Sequence, residues 1–272
     1  MEDYDALRQA AETGDFSAMV DLAVALERDG HTGEAESWYH KTANAGDLRA
    51  MVGFGLVLYK AGRPAEAERW WRLAAEGGHL LGMCNLALLL LNTNREPDAE
   101  QWLRKAAEAG DVPAMKQLGR LLDRTGRGGW AEQWWRQAAS TGDAEAMGHL
   151  GTKLLASGRE SEGEQWLRQA AEAGNASAMN SLGVPLANSG QYEEAERWWR
   201  LAAESGNSNA MVNLGKLLYR TGRKTEGEQW HTRAAKEGNV EAMGILWAEL
   251  RVAGRMEESE YWGRLYQEAR SG

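Results

Sequence analysis

Two groups of side chains in this 272-residue chain have the types and spacing to grip a polypeptide. Asn85, Lys116, Gln117 and Arg120 form one; Asn180, Asn213, Lys216 and Arg220 form the other. His149 shares a register with Asn85, Gln117 and Asn213. A side-chain amide both donates and accepts, so it can pair with both the N–H and the C=O of a peptide unit. The competing reading of these residues is a solvated surface.

Other chemistry finds less support. The five histidines, His31, His40, His79, His149 and His231, are scattered, and only His79 and Cys84 lie close enough to suggest a metal, which is a weak signal. No phosphate-cradling glycine loop and no G-x-S-x-G elbow is present. Nothing pairs a base with a nucleophile, so neither catalysis nor a cofactor is expected. The formal net charge of −9 argues against nucleic acid as partner. The longest apolar run, Leu86 to Leu91, is six residues, against about 20 for a membrane helix. The opening Met1-Glu2-Asp3-Tyr4-Asp5 lacks the basic and apolar stretch of a signal peptide. Cys84 is the only cysteine, which suits a reducing compartment. A soluble, cytoplasmic protein is expected.

The elements that must position those residues come from a repeat. Trp38, Trp70, Trp102, Trp134, Trp166, Trp198, Trp230 and Trp262 are spaced 32 residues apart. Met19 to Met243 and Leu26 to Leu250 keep the same step in two further registers. A fixed period of this size signals a stack of like units, each touching its neighbours. A comb of tryptophans suggests stacking on bases or sugars, but its lock to the repeat assigns it to the core. The next register, Tyr39, Trp71, Leu103, Trp135, Leu167, Trp199 and His231, is less settled; a partly exposed stripe there would join two chains.

Within each unit the punctuation predicts two helices, A and B. Glycines from Gly14 to Gly238 stand where a B helix ends, suited to the left-handed conformation. Asp or Asn follows in seven of eight units, with His79 in the other, as an N-cap for the next A helix. A second glycine register, with Asn94 as its one substitute, ends the A helices. Small residues recur inside the A helices at Ala23, Gly55, Ala87, Gly119, Gly151, Gly183 and Gly215, predicting close helix approach. Acid-to-Arg pairs at i, i+4, such as Glu68–Arg72 and Glu164–Arg168, should line the exposed face of the B helices. Three positions break the pattern. Trp247 occupies the small-residue position in the last unit; Trp130 stands where other units carry an acid; Pro185 falls inside an A helix, where it costs about 3 kcal/mol. The sum is about 17 helices and no strands in one array over 1–272: a capping helix at 1–14, helix pairs over 15–254 and a capping helix at 255–272.

The unit A-x-x-W-[WYL]-x-x-A-A-E-x-G-[DN]-x-x-A-M-x-x-L-G-x-x-L-x-x-x-G-R, clearest from Ala195 to Gly206 and from Ala210 to Gly215, resembles the Sel-one-like repeat, a subclass of the tetratricopeptide class. The resemblance covers nearly the whole chain, with a shorter A–B loop than is usual. It implies an all-α solenoid, a right-handed superhelix of antiparallel helix pairs with A helices on the concave side. It also implies protein scaffolding rather than catalysis, and related domains hold extended peptides or C-terminal carboxylates with Asn, Lys and Arg in these registers. The expected function is therefore a non-catalytic adaptor that binds a protein or peptide segment in the concave groove. The alternative is a self-assembling structural module or homodimer.

Overall fold

The computed structural model describes residues 2–271. Among them are 17 helices and no strand. Helix α1 (Glu2–Glu12) stands alone. The A–B pairs follow as α2 (Phe16–Arg28) and α3 (Thr32–Asn44), α4 (Leu48–Lys60) and α5 (Pro64–Glu76), α6 (Leu80–Asn92) and α7 (Glu96–Glu108), and α8 (Val112–Arg124) and α9 (Gly128–Ser140). After these come α10 (Ala144–Ala156) and α11 (Glu160–Glu172), α12 (Ala176–Asn188) and α13 (Tyr192–Glu204), α14 (Ser208–Arg220) and α15 (Lys224–Lys236), and α16 (Val240–Val252) and α17 (Met256–Ser271). Contacts divide the chain into two compact units, one up to Trp134 and one from Trp135. In each unit helices pack on their chain neighbours, and A helices also touch the next A helix, as α4 does α6 and α10 does α12. This is an α-solenoid, held together by local contacts.

The turns explain why one helix stops and the next starts within three residues. Gly46 has φ of 97°, and the Asp47 N–H reaches back to the Thr42 carbonyl at 3.3 Å while Gly46 N–H reaches Ala43. That is a Schellman closure. The same Asp47 then caps α4, its carboxylate accepting from the Ala50 N–H at 2.8 Å. Asp15, Asp111, Asp143, Asn175, Asn207 and Asn239 do likewise. His79 fills the role with Nδ1, accepting from the Gly82 N–H at 3.4 Å. Asn94 takes φ of 58° in place of glycine.

Burial reverses one expectation. Trp134, Trp198 and Trp262 of the comb are buried, but Trp38, Trp70, Trp102, Trp166 and Trp230 are only half-buried. The neighbouring register is the one inside: Tyr39, Trp71, Leu103, Trp135, Leu167, Trp199 and His231 are all buried. The stripe expected as a possible joint between chains is therefore the core seam of each helix pair. Adjacent helix residues point about 100° apart, so the comb faces the junction between B helices and shows an edge to water. Cations lie over several of those rings, including Lys41 over Trp38 at 5.0 Å and Lys105 over Trp102 at 4.4 Å.

The inner register demands a small partner. A Cβ on Gly55 would overlap the Trp71 indole, and one on Gly183 the Trp199 indole. Both indoles donate to an A-helix carbonyl, Trp71 Nε1–H to Val52 O at 3.1 Å and Trp199 Nε1–H to Asn180 O at 3.0 Å. Where the inner residue is Leu167, a Cβ on Gly151 would lie 2.9 Å from the Gly163 carbonyl, so two glycines bring the backbones together. In the last pair the sizes are exchanged: Trp247 is on the A helix and Gly263 opposes it on the B helix. The unusual Trp247 is thus half of a swapped pair.

Along the B helices, arginine links one repeat to the next. Arg95 makes two hydrogen bonds of 2.8 Å to the Glu68 carboxylate, and Arg127 makes two to Glu100 at 2.9 and 2.7 Å. Of the expected i, i+4 pairs, Arg72–Glu68, Arg104–Glu100 and Arg200–Glu196 form. Arg168 reaches forward to Glu194 instead, at 2.7 Å. Hydrogen bonds from Arg95, Arg127 and Arg136 hold Glu68, Glu100 and Glu162 respectively below the usual carboxylate range. A carboxylate with a lowered folded pKa binds more protons when unfolded. Its contribution is present above its unfolded pKa of about 4.3 and is lost as pH falls through the folded value. Urea midpoints should therefore drop between pH 5 and pH 3, and Glu68→Gln should flatten part of that drop; a profile unchanged by the substitution would contradict the link.

Candidate functional site

The second cluster gathers on two consecutive A helices. Asn180 lies on α12, and Asn213, Lys216 and Arg220 lie on α14. Helical spacing sets the last three on one stripe, i, i+3, i+7. The Asn213 amide donates to Asn180 Oδ1 at 2.9 Å. That bond orients both amides and leaves one carbonyl and further N–H groups for a ligand. Lys216 Nζ donates to Glu241 on α16 at 2.5 Å, with both side chains about half exposed. The Arg220 guanidinium lies 4.6 Å from the Tyr192 ring centroid. Asn213, Lys216 and Arg220 line a cavity of about 230 Å³ together with Val184, Leu217 and Trp199. The site thus has an apolar floor, an amide wall and two cations at its mouth, one braced by an acid and one by a ring.

Sequence reasoning missed the supports. Trp199 both floors the cavity and holds the Asn180 carbonyl, and its burial in the inner register hides that role in a linear reading. Tyr192 did carry a signal, being the only aromatic residue at the first position of a B helix. His149 is placed elsewhere. It is exposed, stacks on Trp135 with centroids 4.6 Å apart, and lines a separate cavity of about 280 Å³ with Glu145, Thr152 and Ser181. Pro185 sits in α12 without ending it. Lacking an N–H, it cannot bond the carbonyl four residues earlier, which belongs to Ser181 in that cavity's lining.

In the first cluster, Asn85 is on α6 and Lys116, Gln117 and Arg120 are on α8. The first three are half-buried and Arg120 is exposed. Cys84, beside Asn85, donates Sγ–H to Asp111 Oδ1 at 3.5 Å, tying α6 to the N-cap of α8. Burial first, and then the Asp111 charge, push the thiol up to about 12. Such a thiol stays protonated at neutral pH and makes a poor nucleophile or metal ligand. Among the described residues no three His, Cys, Asp or Glu groups converge to hold a metal, and no helix is long and apolar enough to cross a membrane.

Comparison with known families fits this architecture. The Sel1 repeat model matches residues 18–47, 81–111, 145–175 and 208–239, and tetratricopeptide repeat models match 48–72 and 175–205. The chain is a Sel1-like repeat protein of the tetratricopeptide class. Its fold is similar to that of a protective antigen of uropathogenic Escherichia coli with an SLR fold, at 26% identity and TM-score 0.70, covering 97% of this chain and 71% of that one. A Sel1 repeat protein from Oxalobacter formigenes has the same TM-score at 23% identity, covering 89% of this chain and 79% of that one. PilF of Pseudomonas aeruginosa shares the fold at TM-score 0.57 and 17% identity, covering 71% of this chain and 96% of that one. Comparison with curated proteins gives no match.

Pro185→Leu should raise the melting temperature, since it restores a helical N–H where the A helices α8 and α14 carry Leu121 and Leu217. The gain should be on the order of 1–3 kcal/mol. A thermal melt that does not move would show that α12 carries no strain there.

Proposed function

We propose that this chain is a non-catalytic adaptor of the cytoplasm that holds a segment of a partner protein against its A helices, on the side the family's architecture makes concave. Sel1 and tetratricopeptide repeat proteins are in general protein-interaction scaffolds, and this chain has their repeats. The carrying observation is the α12/α14 cavity, where the hydrogen-bonded amides Asn180 and Asn213 stand beside Lys216 and Arg220 over an apolar floor. The amides fit the backbone of an extended segment, the cations fit a carboxylate on it, and the floor by Val184 and Leu217 fits a small apolar side chain. Asn85, Lys116, Gln117 and Arg120 offer a second foothold on the earlier A helices α6 and α8, and His149 a contact on α10. A net charge of −9 fits a protein partner better than nucleic acid. No cofactor enters this reading.

The test is quantitative co-purification with wild-type bait against bait carrying Asn180→Ala, Asn213→Ala and Lys216→Ala together. Proteins enriched by the wild type should fall at least tenfold with the triple variant while its circular-dichroism spectrum is unchanged. Equal enrichment by both baits would remove the cavity from the binding site.

A further inference from the structure

A second cavity lies away from the A-helix site. It holds about 640 Å³, between the consecutive B helices α3 and α5, over Phe54 of α4. Its walls include His40 and Trp70, whose rings meet at 89° with centroids 6.3 Å apart, and each lies within 5.3 Å of the Phe54 ring. Glu36 and Glu66 lie at its rim, both hydrogen-bonded by Arg63 at 2.7 Å.

This groove is open because the repeat changes here. Between three later pairs of B helices an ion pair spans the same gap: Arg136–Glu162 at 2.8 Å, Arg168–Glu194 at 2.7 Å and Arg200–Glu226 at 2.8 Å. The equivalents here are His40 and Glu66. His40 is too short to bridge, and Glu66 turns to Arg63. Ser37 stands where other repeats have Arg, Gln or Tyr, and Phe54 where the rest have Leu. Shorter walls and a flat floor result.

The first partner changes at Thr232 too; the second changes once. The register of Glu34, Glu66, Asp98, Glu162, Glu194, Glu226 and Glu258 holds Trp130 in α9. Trp130 is 59% exposed, the only tryptophan among the large apolar residues exposed in the described chain. Its register shows it to be no comb residue, and no hydrogen bond or ring contact engages it among the described residues. One repeat thus carries an aromatic cavity, and another an exposed indole.

We propose that Trp130 of one copy of the chain seats in the α3/α5 cavity of a second copy. The chemistry matches in both halves. An indole has an apolar body and a single donor; the cavity has a floor of ring edges and a rim of ionised carboxylates that accept. Hydrogen bonding from Arg63 holds Glu66 in that form. An indole and its seat together withdraw on the order of 400 Å² from water, and two reciprocal insertions about twice that. Stable interfaces bury about 1,600 Å², so the association is weak and concentration-dependent. It uses the B helices and leaves the α12/α14 cavity open.

Two substitutions that restore residues other repeats already use test it in the full chain. Light scattering on wild type from low micromolar to millimolar concentration should show mass rising above the monomer. Trp130→Glu and His40→Arg should each remain monomeric at all concentrations with unaltered circular dichroism. Mixed together, they should form a weaker 1:1 complex, because the first retains the cavity and the second the indole. A wild type that stays monomeric, and so leaves the cavity to a different occupant, would overturn the proposal. So would self-association surviving either substitution, or a mixture with no complex.

Discussion

The whole array depends on how closely the two helices of each pair approach. One side of the contact must be glycine or alanine wherever the other side is large. Gly55 faces Trp71, Gly183 faces Trp199, Gly215 faces His231, and in the last pair Trp247 faces Gly263. Glycine inside a helix costs about 0.5–1 kcal/mol against alanine, and the buried ring opposite offsets that by covering 150–250 Å² when it is aromatic. The indole N–H also needs an acceptor once buried. The absent Cβ lets it reach a carbonyl of the facing helix, as Trp199 does at Asn180.

That contact also shapes the cavity proposed to hold a partner segment. By holding the Asn180 carbonyl and flooring the cavity, Trp199 ties the core of one pair to the surface where Asn213 and Lys216 stand. The A helices repeat their buried stripe and vary between its members, so the variable residues are presented on a nearly constant frame. The B helices follow a different rule. Their charged registers form ladders between repeats, and of the departures from the ladder, His40 opens a groove and Trp130 exposes an indole.

Much of this was legible in the chain because its turns are local chemistry. Glycine or Asn94 at each helix end and Asp, Asn or His79 at each A-helix start act within a few residues, so composition alone locates them. The inner seam was not legible in the same way. Trp70 and Trp71 are adjacent, and only the rotation of α5 decides which one faces α4. The more constant tryptophan turned out to be the half-buried one. The clue was the variation itself: Leu, Trp, Tyr and His alternate in the inner register because each answers a different partner, and Trp247 opposite Gly263 shows the rule with its sides exchanged. The amide cluster was legible by register, since Asn180, Asn213, Lys216 and Arg220 do converge. His149 shares Asn213's register but lies on α10, too far along the stack to join them. The α3/α5 cavity was invisible because it arises from residues on three helices that are each unremarkable alone.

The size rule at the seam is tested most directly by a double-mutant cycle at one pair, with urea midpoints for wild type, Gly183→Ala, Trp199→Leu and the double variant. The double variant reproduces the Ala87 and Leu103 combination of another repeat. Gly183→Ala alone should destabilise despite the better helix propensity of alanine. In the double variant the penalty should shrink, with a favourable coupling of about 1 kcal/mol or more. Gly183→Ala that stabilises, or two effects that add within about 0.5 kcal/mol, would contradict the rule.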